Sequence, residues 1–177
     1  MSARGFLPYS RQRIGADDVR AVTRVLKSDW ITTGPSVEAF ESRFARYCGA
    51  RFAVAMSSGT AALHAACAAA GIGPGDEVIT TPMTFVATAN AVVYQGGRPI
   101  FADIDARTLN IDPDAVAQRV SPRTKGIIPV HFAGLPCDMG RLQAIARRHD
   151  LLLIEDACHA LGAQWRSPEG RFERIGS

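Results

Sequence analysis

Lysine is nearly missing from this chain: of its 20 basic residues only Lys27 and Lys125 are lysines, and the rest are arginines. These charges are scattered and the net charge is only +3, so the basic stripe expected of a nucleic-acid-binding surface is absent. Any chemistry that needs an amine has two candidates. Cysteine is also scarce: Cys48, Cys67, Cys137 and Cys158 form no CxxC pair and no secreted framework, which sets aside a zinc ribbon and a disulfide scaffold. The opening "MSARGFLPYSRQR" lacks the apolar stretch of a signal peptide, and a cytoplasmic protein is expected. The longest weakly polar run, "GTAALHAACAAAGIG" (59–73), is interrupted by His64 and is too short to cross a bilayer.

Two apparent motifs fail on their chemistry. "GIGPG" (71–75) follows a helical stretch rather than a strand, so it reads as a helix end and turn, not a dinucleotide fingerprint. "DIDARTLNID" (103–112) spaces carboxylates somewhat like a calcium loop. It lacks the loop's glycine and final glutamate, so a turn before a helix is expected and no metal.

What is present is the content of one ordinary domain: 177 residues, 47% hydrophobic and 21% charged, enough to bury a core. Residues 17–28 place Val19, Val22 and Leu26 at helical spacing behind Asp17 as the expected cap. Pro35 opens a second helix, whose Val37, Phe40, Phe44 and Tyr47 share a face and which ends at Gly49. From there short apolar runs alternate with helical stretches. Strands are expected at "FAVAM" (52–56), "EVITT" (77–81), "RPIFA" (98–102), "KGIIPVH" (125–131) and "LLLIE" (151–155), with helices between them. The runs are apolar along their whole length, as in strands covered by helices on both faces, so the fold class is α/β with a mostly parallel sheet. "GAQW" and "RFERIG" flank a turn at "SPEG" and read as a short terminal hairpin.

Open parallel sheets bind ligands beyond the carboxyl ends of their strands. Three of those ends are unusual here. "SSGTAAL" brings small residues, Gly59 and the hydroxyl of Thr60 into a helix start, whose free N–H groups suit a phosphate; Ser57 or Ser58 as a simple cap is the alternative. After "EVITT" stands Phe85, either a core residue or a face for a planar ring. After "LLLIE" stands Asp156, either a turn cap or a charge for a ligand. A phosphate cradle, an aromatic face and a carboxylate together match the requirements of pyridoxal 5′-phosphate (PLP), whose ring nitrogen must stay protonated to act as an electron sink.

With these residues in view, the sequence resembles the DegT/DnrJ/EryC1/StrS sugar aminotransferases, which have the type I aspartate aminotransferase fold. The resemblance runs through "SDWITTGPSVEAFE", "SSGTAALHAA", "GPGDEVITTPMTFVATANAV", "PIFADID", "PVHFAGLPCDM" and "IEDACHALGA". "LPYSRQ", "DWITTGP", "PMTFVATANA" and "EDACHALGA" look most like the branch that aminates a UDP-linked 4-keto-6-deoxy sugar on the route to pseudaminic acid. The resemblance implies PLP as cofactor. Gly59 and Thr60 would hold its phosphate, Phe85 would stack on its ring, Asp156 would pair with its nitrogen and His159 would hydrogen-bond its hydroxyl. Tyr9, Thr32, Thr33 and Gly34 resemble segments that line the nucleotide-sugar pocket. His131 is read as a hydrogen-bonded structural histidine. A UDP-sugar, an amino-acid donor such as glutamate, and a second copy of the chain are the implied partners.

One departure limits the resemblance. Transamination in this family needs a lysine that holds the cofactor covalently, in an aromatic-proline-lysine context well after the aspartate. Lys27 lies on the first helix and Lys125 opens a strand at the end away from the crevice, so neither qualifies. The expectation is therefore an N-terminal portion: residues 1–34 as an arm with one helix and a substrate loop, and 35–177 as part of the PLP-binding large domain. These 177 residues alone are expected to be inactive. A PLP-dependent sugar dehydratase relative, or a non-catalytic portion that binds a partner subunit, remain open as alternatives.

Overall fold

The computed structural model describes residues 11–176. Two helices come first, α1 (Ala16–Leu26) and α2 (Pro35–Cys48), followed by α3 (Gly59–Ala69). An alternating series then runs β1 (Glu77–Thr80), α4 (Ala87–Tyr94), β2 (Arg98–Phe101), α5 (Pro113–Arg119), β3 (Thr124–Ile128), α6 (Met139–His149) and β4 (Leu152–Leu153). The four strands form a parallel sheet in the order β2-β1-β3-β4. A separate antiparallel hairpin, β5 (Gln164–Arg166) with β6 (Phe172–Arg174), lies where the sequence predicts one.

Helices cover both faces of the sheet, and consecutive strand residues show it. On β1, Val78 faces a core with Leu63 and Cys67 of α3 and Ala91 and Val92 of α4, joined by Ile128 of β3. Its neighbour Ile79 faces the opposite core, with Val116 of α5, Leu142 and Ala146 of α6, and Ile127 of β3. Period-two alternation with an apolar environment on each side explains why β1 is buried at every position. From β1 the chain moves to one side to form β2, and then crosses to the other side for β3 and β4. The reversal leaves a crevice beyond the carboxyl ends of β1 and β3, where ligands bind in open α/β sheets.

Several local expectations change. "FAVAM" (52–56) is not a strand: it pairs with no strand among the described residues, and Phe52 and Val54 are about three-quarters exposed. Apolar character suits a strand, but only a neighbouring backbone makes one. The cap of α1 is Gly15, whose N–H donates to Asp18 Oδ2 at 2.7 Å; Asp17 is the second residue of the helix and binds Arg20 instead. Helix α4 starts at Ala87, later than the sequence suggests, because Pro82 and a Thr81 hydroxyl that accepts from the Met83 N–H hold 81–83 in a turn. The ladder of β4 covers two residues, extended by the Ile154 N–H to Ile127 O bond and a bridge between Val130 and Asp156. The apolar faces of α1 and α2 are open: Val19, Val22, Leu26, Phe40 and Tyr47 are all exposed.

Candidate active site

A cavity of about 530 Å³ lies in the crevice. It takes Gly59 and Thr60 from the start of α3, Thr84 and Phe85 from the loop after β1, Val130 and His131 from beyond β3, and Asp156, Cys158 and His159 from beyond β4. All five residues that the sequence assigns to the cofactor line this one space, although 100 positions separate His159 from Gly59. Thr32, Thr33 and Gly34 do not line it; they form the turn into α2, where Gly34 is buried as the helix cap. Tyr9 lies outside the described residues.

Each part has a local cause. Ser58 caps α3 by accepting from the Ala61 N–H at 3.2 Å, so the cap reading of that serine is right. The cap does not use up the helix start: the N–H groups of Gly59 and Thr60 bond to nothing among the described residues. They keep the positive end of the helix dipole open to the cavity. A Cβ at Gly59 would lie 2.8 Å from Cys158 Sγ, so any larger residue there would push that thiol aside. Phe85 is 74% exposed on the cavity rim, which rules out the core alternative and leaves a free aromatic face.

Asp156 is buried, with both oxygens engaged from the protein side. Oδ2 accepts from Thr88 Oγ1 at 2.7 Å, and Oδ1 accepts from the Cys158 N–H at 3.3 Å. A carboxylate has further lone pairs, so it can still accept from a group in the cavity. It takes part in none of the ion pairs seen among the described residues. The neighbouring thiol of Cys158 is pushed up to about 11 by burial, by a hydrogen bond to Asp156 and by the carboxylate's charge. It stays protonated near neutral pH and serves as a small neutral wall between Gly59 and Asp156.

Glu155 and His131 form a separate, structural unit. His131 Nδ1 accepts from the Cys137 N–H at 3.0 Å, so the ring proton sits on Nε2, which donates to Glu155 Oε2 at 3.0 Å. The same carboxylate oxygen accepts from the Gly176 N–H. With both ring nitrogens occupied, His131 has no free group for a ligand, as its sequence reading holds. Lys125 Nζ is at the opposite end of the sheet, bonded to Gly71 O and to Asp76 Oδ2, and Lys27 caps the C-terminus of α1. Neither lysine lines the cavity. Sequence reasoning misses Thr88, Thr84 and Cys158. The only available signal for Thr88 is a hydroxyl in a mostly apolar helix that also carries Asn90.

The model of the DegT/DnrJ/EryC1/StrS aminotransferase family matches residues 12–177. The chain belongs to this family. Among curated relatives of this DegT/DnrJ/EryC1/StrS member, the spore coat polysaccharide biosynthesis protein SpsC of Bacillus subtilis (strain 168) is 53% identical over 156 residues. That match covers 88% of this chain and 40% of SpsC. The uncharacterized protein MJ1066 of Methanocaldococcus jannaschii is 48% identical over 94% of this chain and 43% of its own length. Among solved structures, DesV of S. venezuelae in complex with a ketimine intermediate is 40% identical with a TM-score of 0.86, over 92% of this chain and 42% of that one. The PLP form of the putative sugar aminotransferase Spr1654 from Streptococcus pneumoniae is 32% identical with a TM-score of 0.88, over 97% of this chain and 46% of that one. The chain thus spans less than half the length of these relatives. Its fold is part of the large domain of the PLP-dependent aminotransferases.

Proposed function

We propose that this chain is the PLP-binding part of an aminotransferase that moves an amino group, from a donor such as glutamate, to the C4 keto group of a UDP-linked 4-keto-6-deoxy sugar. The pseudaminic acid route is the pathway proposed. The observation that carries the reading is the meeting of three unlike groups in one cavity: open helix N–H groups, an exposed aromatic face and a buried carboxylate. A phosphate, a flat ring and a basic ring nitrogen are what those groups fit. The family and the name of SpsC, a polysaccharide biosynthesis protein, support a sugar substrate.

When bound, PLP supplies the electron sink that lets a C–H bond next to an amine be broken. The protein's own residues do the rest. Gly59 and Thr60 hold the phosphate with their N–H groups and fix the depth of the ring. Phe85 covers one face of it and excludes water. Asp156 keeps a proton on the ring nitrogen by its negative charge, and His159 donates to the ring hydroxyl. Thr32, Thr33 and Gly34, which lie outside this cavity, are proposed together with Tyr9 for the nucleotide end of the substrate. The lysine that moves the proton is assigned to the part of the whole protein that these residues do not include, and the active form is proposed to be a homodimer.

The test is turnover by the whole protein supplied with PLP, glutamate and a UDP-4-keto-6-deoxy sugar. The expected products are 2-oxoglutarate and a 4-amino sugar nucleotide in equal amounts. A dehydrated sugar without loss of glutamate would favour the dehydratase alternative, and no reaction with any keto sugar nucleotide would overturn the reading.

A further inference from the structure

Asp156 does not stand alone beneath the cavity. Its Oδ2 accepts at 2.7 Å from the hydroxyl of Thr88, in the first turn of α4, and Thr88 is completely buried. Thr88 Oγ1 is also 2.8 Å from Thr84 Oγ1, and 3.2 Å from Phe85 O. A threonine hydroxyl has one proton to give. The shortest contact to a charged acceptor takes it, so Thr88 donates to Asp156, and Thr84 donates to the lone pair of Thr88 that remains. The chain of bonds therefore runs one way, from Thr84 through Thr88 to the carboxylate. Thr84 and Phe85 both line the cavity, so the relay ties the aromatic rim to the charge at the cavity's base.

The geometry of the carboxylate follows. One oxygen is pinned by Thr88, the other by the Cys158 N–H, and the plane of the group is fixed between α4 and the loop after β4. Both anchors are neutral. A lysine or arginine in place of Thr88 would hold the group as firmly but would cancel the charge that a ring nitrogen needs. A hydroxyl orients the carboxylate and leaves its charge intact.

We infer that Thr88 is a positioning residue: through a two-threonine relay it orients Asp156 toward the ring nitrogen of the cofactor without neutralising it. This rests on the PLP reading of the site, and the experiment separates the two. In the whole protein, PLP affinity and the visible absorption band of bound PLP, which responds to the charge held against its ring, are measured for Thr88→Val, Thr88→Ser and Asp156→Ala, with thermal melts alongside. Valine keeps the shape of threonine and removes the donor; serine keeps the donor. Loss of a hydrogen bond to a charged group is expected to weaken PLP binding by roughly tenfold or more and to shift the band, with serine restoring both. A valine variant with wild-type affinity and band, beside an Asp156→Ala variant that has lost both, would overturn the role of Thr88 and leave the PLP site standing. Equal defects in the valine and serine variants would also overturn it, since packing rather than the hydroxyl would then be at work. If Asp156→Ala binds PLP normally, both the inference and the cofactor reading fall.

Discussion

Asp156→Asn separates charge from shape at the residue on which the site turns. Asparagine fills the same space, can still accept from Thr88 and can reach a ring nitrogen, but it has no negative charge to keep a proton there. Neighbouring charges shift protonation by about one to three pKa units, and each unit is about 1.4 kcal/mol. The whole protein carrying Asp156→Asn is therefore expected to melt near the wild type and to lose on the order of a hundredfold in kcat/KM for the sugar. If Asp156 only capped a turn, asparagine would serve nearly as well and kcat/KM would hardly change. This residue and Phe85 are legible in the sequence because each interrupts a pattern: a carboxylate ending an aliphatic run, an aromatic directly after a strand and turn. Thr88 is not legible, because its partner lies 68 positions away and only the folded sheet brings them together.

At the scale of elements, the starts of the strands are fastened as deliberately as their ends are left open. Glu77, the first residue of β1, is almost wholly buried, and its Oε1 accepts from Arg123 Nε at 3.0 Å and Nη2 at 2.7 Å. Its Oε2 accepts from Ser121 Oγ at 2.6 Å, so the carboxylate clamps β1 to the turn that leads into β3. The Ser121 hydrogen bond, and then the Arg123 guanidinium, hold this carboxyl below the ordinary glutamate range. A carboxyl lowered in the folded state contributes stability that is fully present above its unfolded value, about 4.3, and is lost as pH falls through the lower folded value. Glu77→Gln is accordingly expected to flatten the fall of Tm below about pH 4.3. Parallel Tm curves for the two proteins would show that the clamp contributes nothing in acid. The strands themselves are readable because a two-faced core demands apolar residues at every position of β1. "FAVAM" carries the same signature without pairing, since a ladder depends on a neighbour that composition does not reveal.

Across the whole molecule, polar anchoring at one end of the sheet and an open crevice at the other leave the site shaped by loops from three strands and one helix start. A second feature at this scale is exposed apolar surface. A groove of about 1000 Å³ between α1 and α2 is lined by Val22, Leu26, Trp30, Phe40 and Tyr47, among others, and Phe52 and Val54 stand open nearby. No helix among the described residues is long and apolar enough to cross a membrane. The alternation of strand and helix, with Phe85 and Asp156 beyond two strand ends and Gly59 at a helix start, is enough to place the crevice from sequence. The exposure of α1 and α2 is not, because an amphipathic pattern states which face is apolar and not what lies against it. The most direct measurement is a crystal structure of the whole protein with PLP bound. The ring nitrogen is expected within hydrogen-bonding distance of Asp156, about 2.6–3.2 Å, with the phosphate on the N–H groups of Gly59 and Thr60 and the ring against Phe85. PLP seated elsewhere, or in this cavity with its nitrogen turned away from Asp156, would contradict the account.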